Sequence, residues 1–566
     1  MTLEYEVTVF TADPNLSWSL YKSLNITLEG TRGKSEVTSY HKFNLSFFGS
    51  NEIKFPVKCS SDLGHLVGIK LEAYWSIPFQ SPWYHVRVEA ESPIGTIYRF
   101  PIHQSIFADK EYFFREGKEY VMNNWKKDSF FGSQFLNGLN PMMIRRIHSL
   151  PQNLSVDENM IIPGSSESLK TEMGNGNIFL CDYIILDGVE SNTINGKKQY
   201  LTAPLVLLHK NQKDEMMPIA IQLKQNPGPD NPVFLPSDSE NDWLLAKLFV
   251  RSADFNLHEL NYHLLRTHLL AEVFGVALKR NLPSVHPVHK ILIRHTRYTL
   301  QINVMARNDL ISQDGVFTEF TASGGAGMLT IMEKSLSNLT YKSLCIPDDI
   351  EDRGLKDVKN FYYKEDGLKL WNIMHSFVED TLSYYYYEDS DVKDDEELQN
   401  WIKEIYEHGF LREAKTEIPK SLETKEELFK FVTMVMFTCS AQHAAVNSGQ
   451  YDFYGWMPNG PPTMQEPPPT EKGTVTEERI LKTLPGISII ILGMATSWVL
   501  SMQAHDSSFL PDFKRKYFTE HMPCDKIGIF QKKLLKLSKE INKRNEGADL
   551  PYTYLDPKLV ENSVSI

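Results

Sequence analysis

Three stretches of this chain carry groups that could together enclose one metal ion. The first is His258-Glu-Leu-Asn-Tyr-His263-Leu-Leu-Arg-Thr-His268, with histidines at successive five-residue steps. The second is Gln442-His443-Ala-Ala-Val-Asn447-Ser-Gly-Gln450, and the third is the ending Glu561-Asn-Ser-Val-Ser-Ile566, which offers a main-chain carboxylate. In a regular helix positions i and i+5 diverge by roughly 140°, at about 3.6 residues per turn, too far to share an ion. A π-helical turn repeats at i+5 and brings them onto one face, and such turns gather at functional sites. The spacing predicts a distorted helix with a ligand pair, but His258–His263 and His263–His268 satisfy it equally. His443 and Asn447 stand four apart and share a helix face without distortion. Imidazoles with one carboxylate suit iron, and an amide oxygen adds a weak, neutral donor. Taken singly, a helix with three histidines is more often structural, and chain ends fray. The three stretches together carry the metal reading.

These groups must be held by a large framework. At 566 residues, 42% hydrophobic and 23% charged, the chain is expected to form two or more soluble globular units with a sizeable core. Its net charge of −13 argues against nucleic acid as a partner, which needs clustered Lys and Arg to neutralise phosphate. Five scattered cysteines (59, 181, 345, 439 and 524) with no CxxC suit reduced thiols and a cytoplasmic protein. The start Met-Thr-Leu-Glu-Tyr-Glu-Val lacks the basic and apolar regions of a secretory signal. Gly486 to Ala504 carries no charge and approaches the length of a membrane span, but Ser488, Thr496, Ser497, Ser501 and Gln503 interrupt it. We read it as a helix buried on all sides of the core.

Residues 2–115 read as an antiparallel β-sandwich. Runs such as 5–10, 23–28, 66–71 and 84–89 alternate apolar and polar residues between turn signals. This order of strands, with Glu72-Ala-Tyr-Trp75 and Trp83-Tyr84, resembles the PLAT domain, a lipid-associating module. On that resemblance Trp18, Phe79 and Trp83, in expected loops, are the residues that would touch a membrane surface. The competing reading places Trp75 and Trp83 in the sandwich core. Calcium-binding members have clustered acidic loop residues; here Asp13-Pro-Asn-Leu-Ser-Trp18 holds one carboxylate, which serves a cation wanting six or more oxygens poorly. From 116 to 566 the pattern turns helical.

The whole constellation resembles the animal lipoxygenases, and the run Gln442–Asn447 is similar in motif to the arachidonate 5-lipoxygenases. The fold this implies is multi-domain, a PLAT-like sandwich followed by a large, mainly α-helical catalytic domain. The resemblance selects His263, His268, His443, Asn447 and Ile566 as ligands of a non-haem iron, with Gln450 orienting them from behind. It implies oxygenation of polyunsaturated fatty acids by O2, an iron-bound hydroxide taking the hydrogen atom, so that no side-chain base is needed. Aligned to the family, the substrate pocket falls on Leu264, Ile302, Ala306, Leu310 and Leu500, with Phe255, Phe320, Thr321 and Thr496 at its floor. By periodicity alone these would be core. Ala306 stands where the family carries Ala for S products and Gly for R products. Phe320 and Thr496 are bulkier than their 5-lipoxygenase counterparts, so a shallower pocket with 12- or 15-type oxygenation is expected. Met305 stands where some relatives place a cation for the substrate carboxylate. A helical segment that family members carry between sandwich and metal helices, covering the substrate entrance, is expected to be missing here, since Phe113-Phe114-Arg-Glu-Gly-Lys118 runs almost directly into Val121-Met-Asn-Asn-Trp. Two other functions compete: isomerisation of fatty-acid hydroperoxides on the same iron, and lipid binding with weak catalysis. A peripheral attachment to cytoplasmic membrane faces follows from the PLAT resemblance.

Overall fold

The computed structural model describes residues 3–11, 21–30, 32–41, 52–64, 66–75, 83–106, 111–115, 117–503, 507–515, 517–546 and 548–566. They divide into two compact units, Met1–Asn124 with Asn542–Pro551, and Trp125–Ile541 with Tyr552–Ile566.

The first unit is a sandwich of two antiparallel sheets. One runs Glu52–Cys59, Leu3–Thr11, Trp83–Glu91, Ile97–Ile106; the other runs Gly33–Lys34, Tyr21–Gly30, Leu66–Trp75, Glu111–Arg115, with Thr38–His41 also paired to Tyr21–Gly30. Alternation sets the register. Tyr5, Val7 and Val9 are buried, and Val7 stands opposite both Phe55 and Ala90. A slip of one residue would turn this whole set outward. Trp83, expected in a loop, instead opens a strand opposite Ile106; the alternation at 84–89 extends one residue further, and aromatics favour strands. Trp18, Phe79 and the Asp13 loop lie outside the described residues.

The second unit is built around helices, but Arg145–Arg146, Ile178–Asp182, Leu205–Lys210, Met216–Gln222 and Val233–Phe234 form an antiparallel sheet that the helical reading from 116 onward did not contain. Leu205 to Leu208 are all fully buried. A strand covered on both faces shows no period-two signal. Helix Asp128–Asn137 lies directly on this sheet, since a Cβ added at Gly132 would meet the Met216 carbonyl oxygen at 1.9 Å.

At the centre runs helix Glu240–Leu257, begun by Ser239, whose Oγ accepts the Asp242 N–H. Every residue from Asp242 to Leu257 is buried, including two cations that earn their place by contacts. Lys247 donates to the Lys126 carbonyl and to Asp128, both at 2.6 Å. Arg251 donates to the Phe131 carbonyl at 2.6 Å and stacks its guanidinium over Phe131 and Phe135. Without such partners a buried charge would be strongly destabilising.

The uncharged stretch from Gly486 forms helix Ile487–Leu500, and the expectation that it is buried on all sides is wrong. Ile489, Thr496, Ser497 and Leu500 are buried, whereas Ile487, Ile491 and Val499 are 72%, 61% and 46% exposed. Hydroxyls satisfied within the helix explain the inversion. Thr496 donates to Leu492 O and Ser497 to Gly493 O, both at 2.8 Å, so their burial costs little. Uniform apolarity leaves the sequence unable to say which face turns in. Among the described residues no single helix is long and apolar enough to cross a membrane; Glu477–Thr483 and Ile487–Leu500 pass that test only jointly, bent by 59°.

Candidate metal centre and its cleft

The central helix changes winding where its histidines begin. It is π-helical over His258–Leu269 and regular again over Leu270–Asn281. This is the geometry the five-residue spacing requires, and it brings His263 Nε2 and His268 Nε2 to 3.2 Å of each other. His443 completes the group from a second helix, and the ligating nitrogens of His263, His268 and His443 all lie within 4.8 Å of one another. That helix, expected to be undistorted, contains a π turn of its own at Thr438–Gln442 just before His443–Asn447. A terminal oxygen of Ile566 lies 3.2 Å from His443 Nε2.

The outer nitrogens decide where the protons are. Burial opposes ionisation of Glu259, but His258 and His263 beside it outweigh that and hold its carboxyl down at about 2. Its carboxylate is therefore acceptor-only, and His263 Nδ1, 3.1 Å away, must carry the proton. Asn303 fixes His268 likewise. Its Nδ2 donates to His268 O at 2.7 Å and to Glu272 Oε2 at 2.9 Å, so its Oδ1 faces His268 Nδ1 at 3.1 Å as acceptor. Arg307 closes this chain with two hydrogen bonds to Glu272, at 2.6 and 2.8 Å. Burial first, then repulsion from His263, pushes His268 down to about 3, and burial, then repulsion from His268 and His263, pushes His443 well below its ordinary value.

His263 Nε2 and His268 Nε2 thus face each other across 3.2 Å, with the outer Nδ1 of each ring turned to an acceptor. A metal cation held by both nitrogens suits that arrangement. Nitrogen donors of intermediate softness with one hard carboxylate oxygen fit iron, and outer groups that fix the tautomer of metal-bound histidines are the expected companions of such a site.

His258, equal to the others by spacing, is committed elsewhere. Its Nε2 donates to Val446 O at 2.8 Å and its Nδ1 lies 3.0 Å from the Tyr454 hydroxyl. Asn447 and Gln450 are buried beside the histidines. The Gln450 amide donates to Asn447 Oδ1 at 2.7 Å and lies 3.4 Å from His263 Nδ1, while its own Oε1 has no partner among the described residues. A second grouping, His286 with Asp395 and Glu397, is occupied by ordinary structure. His286 Nδ1 accepts the Val288 N–H at the start of helix Pro287–Leu292, and Nε2 donates to Asp395 at 3.0 Å.

An apolar cleft of about 40 Å³ reaches His263, His268 and Ile566. Of the residues expected to line it, Leu264, Ile302, Ala306, Leu310 and Leu500 do so, joined by Leu260, Ile311, Phe317 and Ile566. Ile302, Ala306 and Leu310 come from helix Thr299–Met305 and a further π turn, Ala306–Leu310, rather than from one regular helix. Phe255, Phe320, Thr321 and Thr496 are buried but do not border this cleft. Phe255 lines a separate small cavity of about 10 Å³ with Gly493 and Ser497. Phe320 packs edge-on against Phe255 with ring centres 6.2 Å apart, and also touches Phe317. Glu259, Asn303, Glu272 and Arg307 escaped the sequence reading. Glu259, at i−4 from His263, left the one local signal.

Residues 117–553 match the lipoxygenase family, and residues 5–123 match the PLAT/LH2 domain. Polyunsaturated fatty acid lipoxygenase ALOX8 of Mus musculus is 48% identical over 451 residues, 79% of this chain and 67% of that protein. The chain belongs to the lipoxygenase family. Hydroperoxide isomerase ALOXE3 of Homo sapiens is 46% identical over 450 residues, again 79% of this chain and 63% of that protein. Among solved structures, a lipoxygenase variant in complex with arachidonate superposes with a TM-score of 0.76 at 28% identity, covering all of both chains. The two family matches overlap at 117–123, so this lipoxygenase has no stretch of its own between sandwich match and catalytic match.

Proposed function

We propose that this lipoxygenase is a non-haem iron dioxygenase that converts a polyunsaturated fatty acid and O2 into an S-hydroperoxide, with His263, His268, His443, Asn447 and the Ile566 carboxylate holding the iron. The observation that carries the reading is the meeting of three buried imidazoles and a terminal carboxylate oxygen beside an apolar cleft. Bound iron supplies the one-electron chemistry that removes hydrogen from a bis-allylic methylene. The chain does the rest by placement. Leu264, Ile302, Leu310 and Leu500 hold the acyl chain by apolar contact and exclude water. Glu259 and Asn303 keep protons on the outer imidazole nitrogens. Gln450 orients the Asn447 amide. The Ala306 methyl, buried in the cleft wall, shields one end of the pentadienyl radical from O2. The lipoxygenase–arachidonate complex supports the substrate class. We place the protein in the cytoplasm, the sandwich attaching it to membranes; five cysteines without a disulfide agree with that compartment.

Oxygen uptake with arachidonate, followed by chiral chromatography, tests the reading. One hydroperoxide of S configuration is expected. Loss of added hydroperoxide without uptake would instead favour isomerisation, the activity named for the human relative. Iron-loaded protein with neither activity would leave lipid binding as the function.

Three substitutions sharpen the assignment. Ala306→Gly opens the shielded radical end, so product should shift toward R at a different carbon; an unchanged profile by chiral chromatography removes Ala306 from that role. His258→Phe should keep its iron by metal analysis, since neither ring nitrogen faces the site. Glu259→Gln should weaken metal affinity by about 10–100-fold, the usual worth of a hydrogen-bonded partner behind a metal ligand, and chelator competition measures it.

A further inference from the structure

A terminal carboxylate is a metal ligand only if its tail is fixed, since free ends fray. Asn562, four residues before Ile566, has every polar atom engaged. Its N–H donates to Ser508 O at 2.8 Å, and its Nδ2 to Phe509 O at 2.8 Å and Ser508 Oγ at 3.1 Å. Its Oδ1 accepts from Arg294 at 2.9 Å, and its main-chain O accepts from His295 Nδ1 at 2.6 Å.

Arg294 and His295 are adjacent on the turn Ile293–Thr296 and grip Asn562 through side chain and main chain together. Arg294 is itself seated against the Phe513 ring at 3.6 Å and donates also to the Asp512 carbonyl. His295 is 1% exposed, and its Nε2 has no partner among the described residues, so the contact with Asn562 is its polar task. Beyond the grip, Thr299 Oγ1 reaches Val564 O at 3.4 Å. Four residues span at most about 13–14 Å, so an anchor at Asn562 confines the carboxylate to a small volume around His443.

We propose that Arg294 and His295 are positioning residues that, by clamping Asn562, set the reach of the tail and present the Ile566 carboxylate to the metal. This rests on the proposed role of that carboxylate. The test compares four variants loaded with iron: His295→Phe, Asn562→Ala, deletion of Ile566, and Asn562→Ala combined with the deletion. Iron loss to a chelator and the ferric EPR line shape are measured, with thermal melting as a check on folding.

His295→Phe should speed iron loss about fivefold, the worth of one hydrogen bond. Asn562→Ala should match the deletion in both rate and line shape, and the combined variant should be no worse than the deletion alone. Singles that hold iron like the unmodified protein, while the deletion loses it, overturn the clamp and leave the carboxylate ligand standing. So does an additive combined variant. A deletion that keeps its iron overturns the carboxylate ligand and the clamp with it. Should Asn562→Ala fail to fold, His295→Phe decides alone, since the ring is retained and one hydrogen bond is lost.

Discussion

Appending residues to Ile566 should abolish turnover and strip most of the iron. The appended chain converts the terminal carboxylate, now 3.2 Å from His443 Nε2, into a neutral amide at the same spot. The site then loses the negative charge of that carboxylate, while burial, and after it repulsion among the histidines, opposes protonation of His268 and His443. His263 and His268 still face each other at 3.2 Å. His443→Ala should act in the same direction, removing the member that comes from the second helix. Direct ligands exceed the roughly 10–100-fold worth of their outer partners, so a loss of about a thousandfold or more is expected for either change. Metal analysis and oxygen uptake measure it together. Full iron in either variant would remove that residue from the ligand set, and an active fusion at the carboxyl terminus would do so for Ile566.

What the sequence disclosed follows from how local each signal is. The five-residue histidine spacing is a statement about one helix, and the π winding at His258–Leu269 answers it directly. The alternation at 5–10 and 84–89 is equally local, and strands stand there. The choice among three histidines was not local. It turns on Val446 and Tyr454, which occupy His258 from nearly two hundred residues away. The same holds for Asn303 and Glu272, whose roles exist only because another helix crosses behind His268. Phe255 and Phe320 show the limit of reading a cavity from aligned positions. Their rings pack on each other, and Phe255 borders a different cavity from the one that reaches His263 and His268. The helix Ile487–Leu500 carries no charge, so neither periodicity nor composition could say which side faces water.

That exposed side yields the second large expectation. Ile487, Ile491, Ala495 and Val499 recur every four residues, forming one stripe, while Leu500 of the same helix lines the cleft. Val304 and Met305, on the helix that carries Ile302 and precedes Ala306, are also about half exposed. On the sequence reading, a covering segment present in relatives is missing, and an apolar stripe next to a lipid cleft is what its removal would uncover. At about 25 cal/mol per Å² of apolar surface, even a few hundred Å² left in water costs several kcal/mol, comparable with the net stability of a whole domain. A chimaera with a relative's segment inserted near residue 116 should therefore melt at clearly higher temperature, associate less, and turn over faster. Ile487→Gln with Ile491→Gln should reduce association without the insertion, and hardly move the melting temperature, because exposed sites change stability by only about 0.5 kcal/mol. Light scattering and calorimetry read both effects. Equal melting, association and turnover in the chimaera and the present chain would mean that the stripe is not a surface the missing segment covered, and the cleft would then have to be closed by residues already in the chain.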